Sequence, residues 1–121
     1  MRYLLDTNVV LYLLGGRLAE DLPKGEFFIS IVTRLEVLSY PGLSAEDEAA
    51  FSSFFEDVVE VGLTESVTAS TINFRRKYRL KLPDAIVVAT THVLGATLVT
   101  ADTQLLKLPG LPTLCPTLNP G

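Results

Sequence analysis

Cysteine, histidine and long apolar runs are all scarce in this chain. Cys115 is its one cysteine and His92 its one histidine. A single cysteine forms neither an internal disulfide nor a CxxC metal site. A single histidine supports neither a two-imidazole, metal-free acid–base pair nor a His-rich zinc site. His92 sits within Ile86–Leu94, a segment apolar nearly all round, and is expected to be buried beside the sheet as a hydrogen-bonded core or boundary residue. No apolar stretch approaches the ~20 residues needed to cross a bilayer. The N-terminus lacks the charged start, apolar stretch and small-residue cleavage site of a signal peptide. A soluble cytoplasmic protein is expected. No GxSxG, GxGxxG or GxxxxGK[ST] occurs, so neither a serine-nucleophile elbow nor a nucleotide-cofactor loop is indicated. There is no internal repeat, low-complexity tract or linker.

What is present is a moderately acidic, apolar-rich chain. At 121 residues and 48% apolar content, a single globular domain over 1–121 is expected. The net charge of −4 hides an asymmetry. Arg75, Arg76, Lys77, Arg79 and Lys81 fall within seven residues, and no acid lies between Ser66 and Pro83. One reading is a solvated helix C-terminus, where cations are favoured. The other is phosphate capture, with Arg75, Arg76, Arg79 and Lys81 holding an RNA backbone without reading its sequence, and Tyr78 stacking on a base.

Apolar runs and caps alternate along the chain. Strands are expected at Arg2–Leu5, Glu26–Ser30, Val58–Val61, Ala96–Thr100 and, near an edge, Leu111–Leu114. The spacing predicts helices from Thr7 to about Leu14, Ile31 to about Tyr40, Ala45–Phe55, from Thr64 to the basic group, Pro83–Leu94, and a short one beginning at Asp102 or Thr103. Alternating strands and helices imply an α/β fold with a mainly parallel sheet covered on both faces, and ligands outside the carboxyl ends of its strands.

Asp6-Thr7-Asn8 interrupts two apolar runs at one such end, and Asp102 follows another. Both acids, with Asp84 in Leu82-Pro83-Asp84, can be read as helix caps or first-turn acids. Glu36 differs because it lies inside a helix. With about 100° per residue, Ile31, Val32, Leu35 and Leu38 share an arc and Glu36 falls at its edge. Its Cβ leans toward the helix N-terminus, and hence toward the same rim of the sheet. Several carboxylates meeting there would repel one another unless a cation joined them. Oxygen-only ligands favour Mg²⁺ or Mn²⁺, which can activate water and assist displacement at phosphorus.

Four segments in order resemble the PIN domain and, within it, the VapC-type ribonuclease toxins of toxin–antitoxin pairs. They are Leu4-Leu5-Asp6-Thr7-Asn8, Ser30-Ile31-Val32-Thr33-Arg34-Leu35-Glu36, Leu82-Pro83-Asp84-Ala85-Ile86-Val87-Val88-Ala89-Thr90 and Leu98-Val99-Thr100-Ala101-Asp102, with Asn119-Pro120 similar as well. The resemblance implies a three-layer α/β/α sandwich. It implies that Asp6, Glu36, Asp84 and Asp102 form a quartet binding Mg²⁺ or Mn²⁺, with Asn8 and Thr100 as polar supports. It further implies endonucleolytic hydrolysis of RNA to 3′-hydroxyl and 5′-phosphate ends, a homodimer, and an antitoxin whose C-terminal tail lies in the active-site groove. Leu105-Leu106 stand where the family frequently has an aromatic residue. Two other readings remain open: a phosphatase with Asp6 as covalent nucleophile, which would want an Asp where Asn8 stands, and a non-catalytic interaction module in which the acids are caps.

Overall fold

The computed structural model describes residues 1–120. Strands and helices alternate as the apolar runs dictate. In chain order they are β1 (Arg2–Leu5), α1 (Thr7–Leu14), β2 (Glu26–Ser30), α2 (Ile31–Leu38), α3 (Ala45–Glu56), β3 (Val59–Val61), α4 (Glu65–Tyr78), α5 (Leu82–Leu94), β4 (Thr97–Val99), α6 (Thr103–Leu106) and β5 (Thr113–Leu114). The hydroxyls of Ser30, Ser44 and Thr64 each accept a backbone N–H in the first turn of the helix they open. Gly95 ends α5 in the left-handed conformation, φ 62°, that an L side chain adopts only with strain.

The strands form one parallel sheet in the order β3-β2-β1-β4-β5. The chain therefore builds outward from β1 to β3, returns across the sheet, and builds outward again through β4. That reversal puts a topological switch point between β1 and β4, where the connections diverge and leave a crevice at the carboxyl ends. Pro112, just before β5, only has to accept, and its carbonyl takes the Leu98 N–H at 2.9 Å.

Alternation along the strands fills both faces. Leu4, Phe28 and Leu98 point to one side, against Leu80, Ala85 and Val88 of the α4–α5 layer and Leu105 of α6. Tyr3, Leu5, Ile29 and Val99 point to the other, against Val9 and Val10 of α1 and the partly buried Phe51, Phe54 and Phe55 of α3. The result is the expected three-layer α/β/α sandwich.

Two expectations are corrected. The buried residues of α2 are Thr33 and Val37, whereas Leu35 is 57% exposed. A buried threonine reads as polar in a hydrophobic pattern, so the apolar arc drawn through Leu35 was rotated away from the true inner face. His92 is exposed, not buried; its ring meets the edge of Phe74 at 5.5 Å between centroids. The middle of α5, Ala85 to Thr91, is the part that lies in the core.

Candidate active site

Each acid arrives at the switch point by a separate route. Asp6 is the residue after β1 and the N-cap of α1, and it is nearly buried at 9% exposure. Its Oδ1 accepts the Thr7 N–H at 2.9 Å and its Oδ2 accepts the Thr100 hydroxyl at 2.8 Å. Burial pushes the Asp6 carboxyl above the ordinary aspartate value. The bonds from Thr100 and Thr7 pull it back, and the charges of Asp84 and Asp102 push it up again.

Thr100, fully buried beyond β4, also accepts the Asp102 N–H at 3.1 Å. Asp102 then caps α6, its Oδ1 accepting from Gln104 N at 2.8 Å and Leu105 N at 3.4 Å. Asp84 stands in the first turn of α5, half-buried. Its carboxyl is pushed up by burial and then by Asp102 and Glu36, and is drawn down by the ammonium of Lys81. Glu36 is exposed on α2 and accepts the Thr7 hydroxyl at 2.8 Å. Asn8 is exposed beside it, on a groove of about 360 Å³ shared with Thr7, Glu36 and Tyr40.

The four acids thus share one rim and lie within electrostatic reach: Asp6 feels Asp84 and Asp102, and Asp84 feels Asp102 and Glu36. Asp6 and Asp102 are also genuine helix caps. As the side chains stand, no group of three or more Asp, Glu, His or Cys among the described residues is posed to hold a metal ion. The oxygens of Asp6, Oδ1 of Asp102 and Oε1 of Glu36 are turned toward hydrogen-bond donors of the frame. The donor chemistry nevertheless suits a hard dication: all oxygen, all negative, two members held above their ordinary pKa by burial and by like charge.

The basic segment reaches this rim through Lys81. Lys81 is the N-cap of α5 and acts on Asp84. Arg75, Arg76 and Arg79 line a groove of about 460 Å³ with Ile72 and Leu80. Tyr78 packs its ring on Phe74 at 6.2 Å and lies under the Lys77 ammonium, so it is already engaged within the fold. A mostly apolar cavity of about 490 Å³, lined by Leu5, Leu13, Leu22, Phe27 and Phe54, contains none of the candidate acids. Two residues went unnoticed in the sequence, Thr7 and Thr33; their hydroxyls meet at 3.0 Å beside Glu36. The signal available was a polar residue on what proved to be the inner face of α2, one helical turn before a glutamate.

Fold and site together define a parallel-sheet α/β/α domain with an acidic cleft at its switch point. The PIN domain family model matches residues 3–111, and the chain belongs to that family. No curated protein matches the sequence. Among solved structures, the fold is similar to a chain of a toxin–antitoxin complex from Klebsiella pneumoniae, with a TM-score of 0.80 and 24% identity over 93% of this chain and 96% of that one. It is similar to a chain of VapBC2 from Rickettsia felis bound to a promoter DNA fragment, with a TM-score of 0.78 and 16% identity over 94% and 98%. For VapBC-1 from nontypeable Haemophilus influenzae the TM-score is 0.72, at 19% identity over 94% and 97%. At these identities the likeness is one of fold. No helix among the described residues is long and apolar enough to cross a membrane.

Proposed function

We propose that this single domain is a divalent-cation-dependent endoribonuclease and the toxin half of a toxin–antitoxin pair. The observation that carries the reading is the convergence of like charge at the rim: Asp6, Asp84, Asp102 and Glu36 come from four separate helix starts or faces, yet the carboxyl of Asp6 is pushed up by Asp84 and Asp102 and that of Asp84 by Asp102 and Glu36. A fold does not gather like charges at a switch point for stability. The family's nuclease character and the toxin–antitoxin setting of the similar folds agree with it.

Asp6, Glu36 and Asp84 would hold Mg²⁺ or Mn²⁺, with Asp102 either binding directly or orienting water from behind. When bound, the ion supplies a Lewis acid that lowers the pKa of its water and stabilises charge on phosphorus. Thr100 favours the ionised form of Asp6 by donating to it, and Asn8 offers a polar wall to the groove beside Glu36. Lys81 beside Asp84, with Arg75, Arg76 and Arg79 along the groove of the same basic segment, would hold the RNA backbone. The acidic cleft would likewise accept a basic side chain of an antitoxin tail. A homodimer and a cytoplasmic site of action belong to the same reading.

The test is Asp6→Asn. Wild type is expected to cleave RNA when Mn²⁺ or Mg²⁺ is added, and the variant to lose cleavage by at least about 100-fold while keeping its fold. Cleavage by the variant at the wild-type rate would sink the proposal. The capping roles of Asp6 and Asp102 favour a second reading, a non-catalytic interaction module. Calorimetry detecting no divalent-cation binding by the antitoxin-free protein would select it.

A further inference from the structure

We propose that Thr7 and Thr33 are positioning residues that aim Glu36 into the acidic cleft, an assignment that rests on reading the cleft as a cation site. Glu36 is exposed, long, and on the same rim as the carboxylate of Asp84, which it repels. Nothing in its own helix holds it inward; an unrestrained glutamate there would turn to water. What holds it is the Thr7 hydroxyl, 2.8 Å from Oε1.

A threonine hydroxyl has one proton, and an ionised carboxylate can only accept. Thr7 therefore donates to Glu36, and the 3.0 Å contact between Thr7 and Thr33 must carry the Thr33 proton. The chain has one direction: Thr33 to Thr7 to Glu36. The behaviour of the other buried helical threonines makes this distinctive. Thr71, Thr90 and Thr91 each return the hydroxyl proton to the carbonyl four residues back, at 2.7, 2.7 and 2.9 Å. Thr33, fully buried in α2, turns to a side chain on α1 instead. Valine would fill that space with no polar group to satisfy, so the hydroxyl has a directional use.

Thr7 is also the point where two acids are tied together. Its backbone N–H goes to Asp6 Oδ1 at 2.9 Å and its hydroxyl to Glu36. One residue thus sets the spacing between the carboxylate that follows β1 and the one on α2, and Thr33 fixes that residue's hydroxyl from behind. Side chains that orient a metal's ligands are worth about 10–100-fold in affinity.

The experiment is calorimetric titration of the full chain with Mn²⁺, beside thermal melting, for wild type, Thr33→Val, Thr33→Ser, Thr7→Val and Thr71→Val. Thr33→Val and Thr7→Val are expected to weaken Mn²⁺ binding about 10-fold. Thr33→Ser is expected to restore it. Thr71→Val, which removes a buried helical hydroxyl far from the rim in chain and role, is expected to bind as wild type even where its melting temperature falls. If Thr33→Val does not fold, Thr7→Val alone decides, since Thr7 is only half-buried. Wild-type affinity in the valine variants overturns the assignment while the cation reading stands. Absence of Mn²⁺ binding in wild type overturns both.

Discussion

Thr100 donates its hydroxyl proton to Asp6 Oδ2 at 2.8 Å, joining residues 94 positions apart in the chain. The same oxygen of Thr100 accepts the Asp102 N–H. One buried hydroxyl therefore connects the ends of β1 and β4, the two strands that flank the switch point, and orders an acid on each side of it.

Replacing Thr100 by valine removes a donor from a nearly buried carboxylate and an acceptor from a partly buried N–H. The expected loss of stability is about 1–3 kcal/mol. The Asp6 carboxyl, already above its ordinary value, is expected to rise further, because the Thr100 bond is the strongest influence lowering it. The acid limb of a pH–rate profile should then move to higher pH, and Thr100→Ser should move it back. An unshifted profile in Thr100→Val would disconnect this hydroxyl from the state of Asp6.

Asp84 offers a test of whether the rim is kept at a cost to folding. Its carboxyl is raised in the folded state by burial, Asp102 and Glu36. A raised carboxylate pKa favours the folded form only where the group is protonated, so its contribution is full below the unfolded value and is lost as pH climbs through the folded one. Asp84→Asn is therefore expected to melt close to wild type near pH 4 and above it at pH 7. Because the group is half-exposed and screened, the gain should be modest, about 2–5 °C. Added Mn²⁺ should raise wild type more than the variant and narrow the gap. A difference that does not grow with pH would mean the acids do not strain the fold.

The order and type of the elements were legible because the signals for them are local. Phe27-Phe28-Ile29 ahead of Ser30 marks a strand and a cap, and Gly95 marks a stop, whatever the rest of the chain does. The general rule about parallel sheets put Asp6 and Asp102 on one rim and the tilt of helical side chains leaned Glu36 toward it, whereas the family resemblance supplied the grouping with Asp84. The inner face of α2 was not legible. Thr33 is buried because Thr7 offers it a partner from another helix, and no pattern within residues 31–38 encodes that partner. The exposure of His92 escaped for a related reason. It lies near the end of α5, beyond the part the sheet covers, and apolar neighbours alone do not show where cover ends.

Arg79 separates binding from folding in the basic segment. It ends α4 in the left-handed region, φ 54°, which an L side chain occupies at a cost of roughly 1 kcal/mol. Arg79→Gly is expected to leave stability unchanged or slightly higher while weakening RNA binding. Arg76→Ala, on the same groove, should weaken binding with little change in melting temperature. If these side chains touch phosphates, each substitution lowers the slope of log affinity against log salt by about 1. A slope that stays at the wild-type value in both variants would reduce the segment to a solvated helix end.

Gly25 controls how the two central strands begin. A Cβ built there would stand 2.6 Å from the Met1 carbonyl oxygen and 2.8 Å from the Tyr3 ring. Neither neighbour can retreat easily. Met1 O accepts the Glu26 N–H at 2.9 Å, and Tyr3 is buried and stacked on Phe27 at 5.6 Å. Gly25→Ala is expected to cost about 1–3 kcal/mol, seen as a fall in melting temperature. The crowding arises at the amino ends of β1 and β2. At about 3.3 Å per residue, Asp6 lies roughly 13 Å further along from Arg2. Cleavage per folded molecule should therefore stay near wild type well below the melting point. A variant that melts normally but loses activity would show that the rim responds to the far end of the sheet, and would overturn the view that the acids are set locally by Thr7 and Thr100.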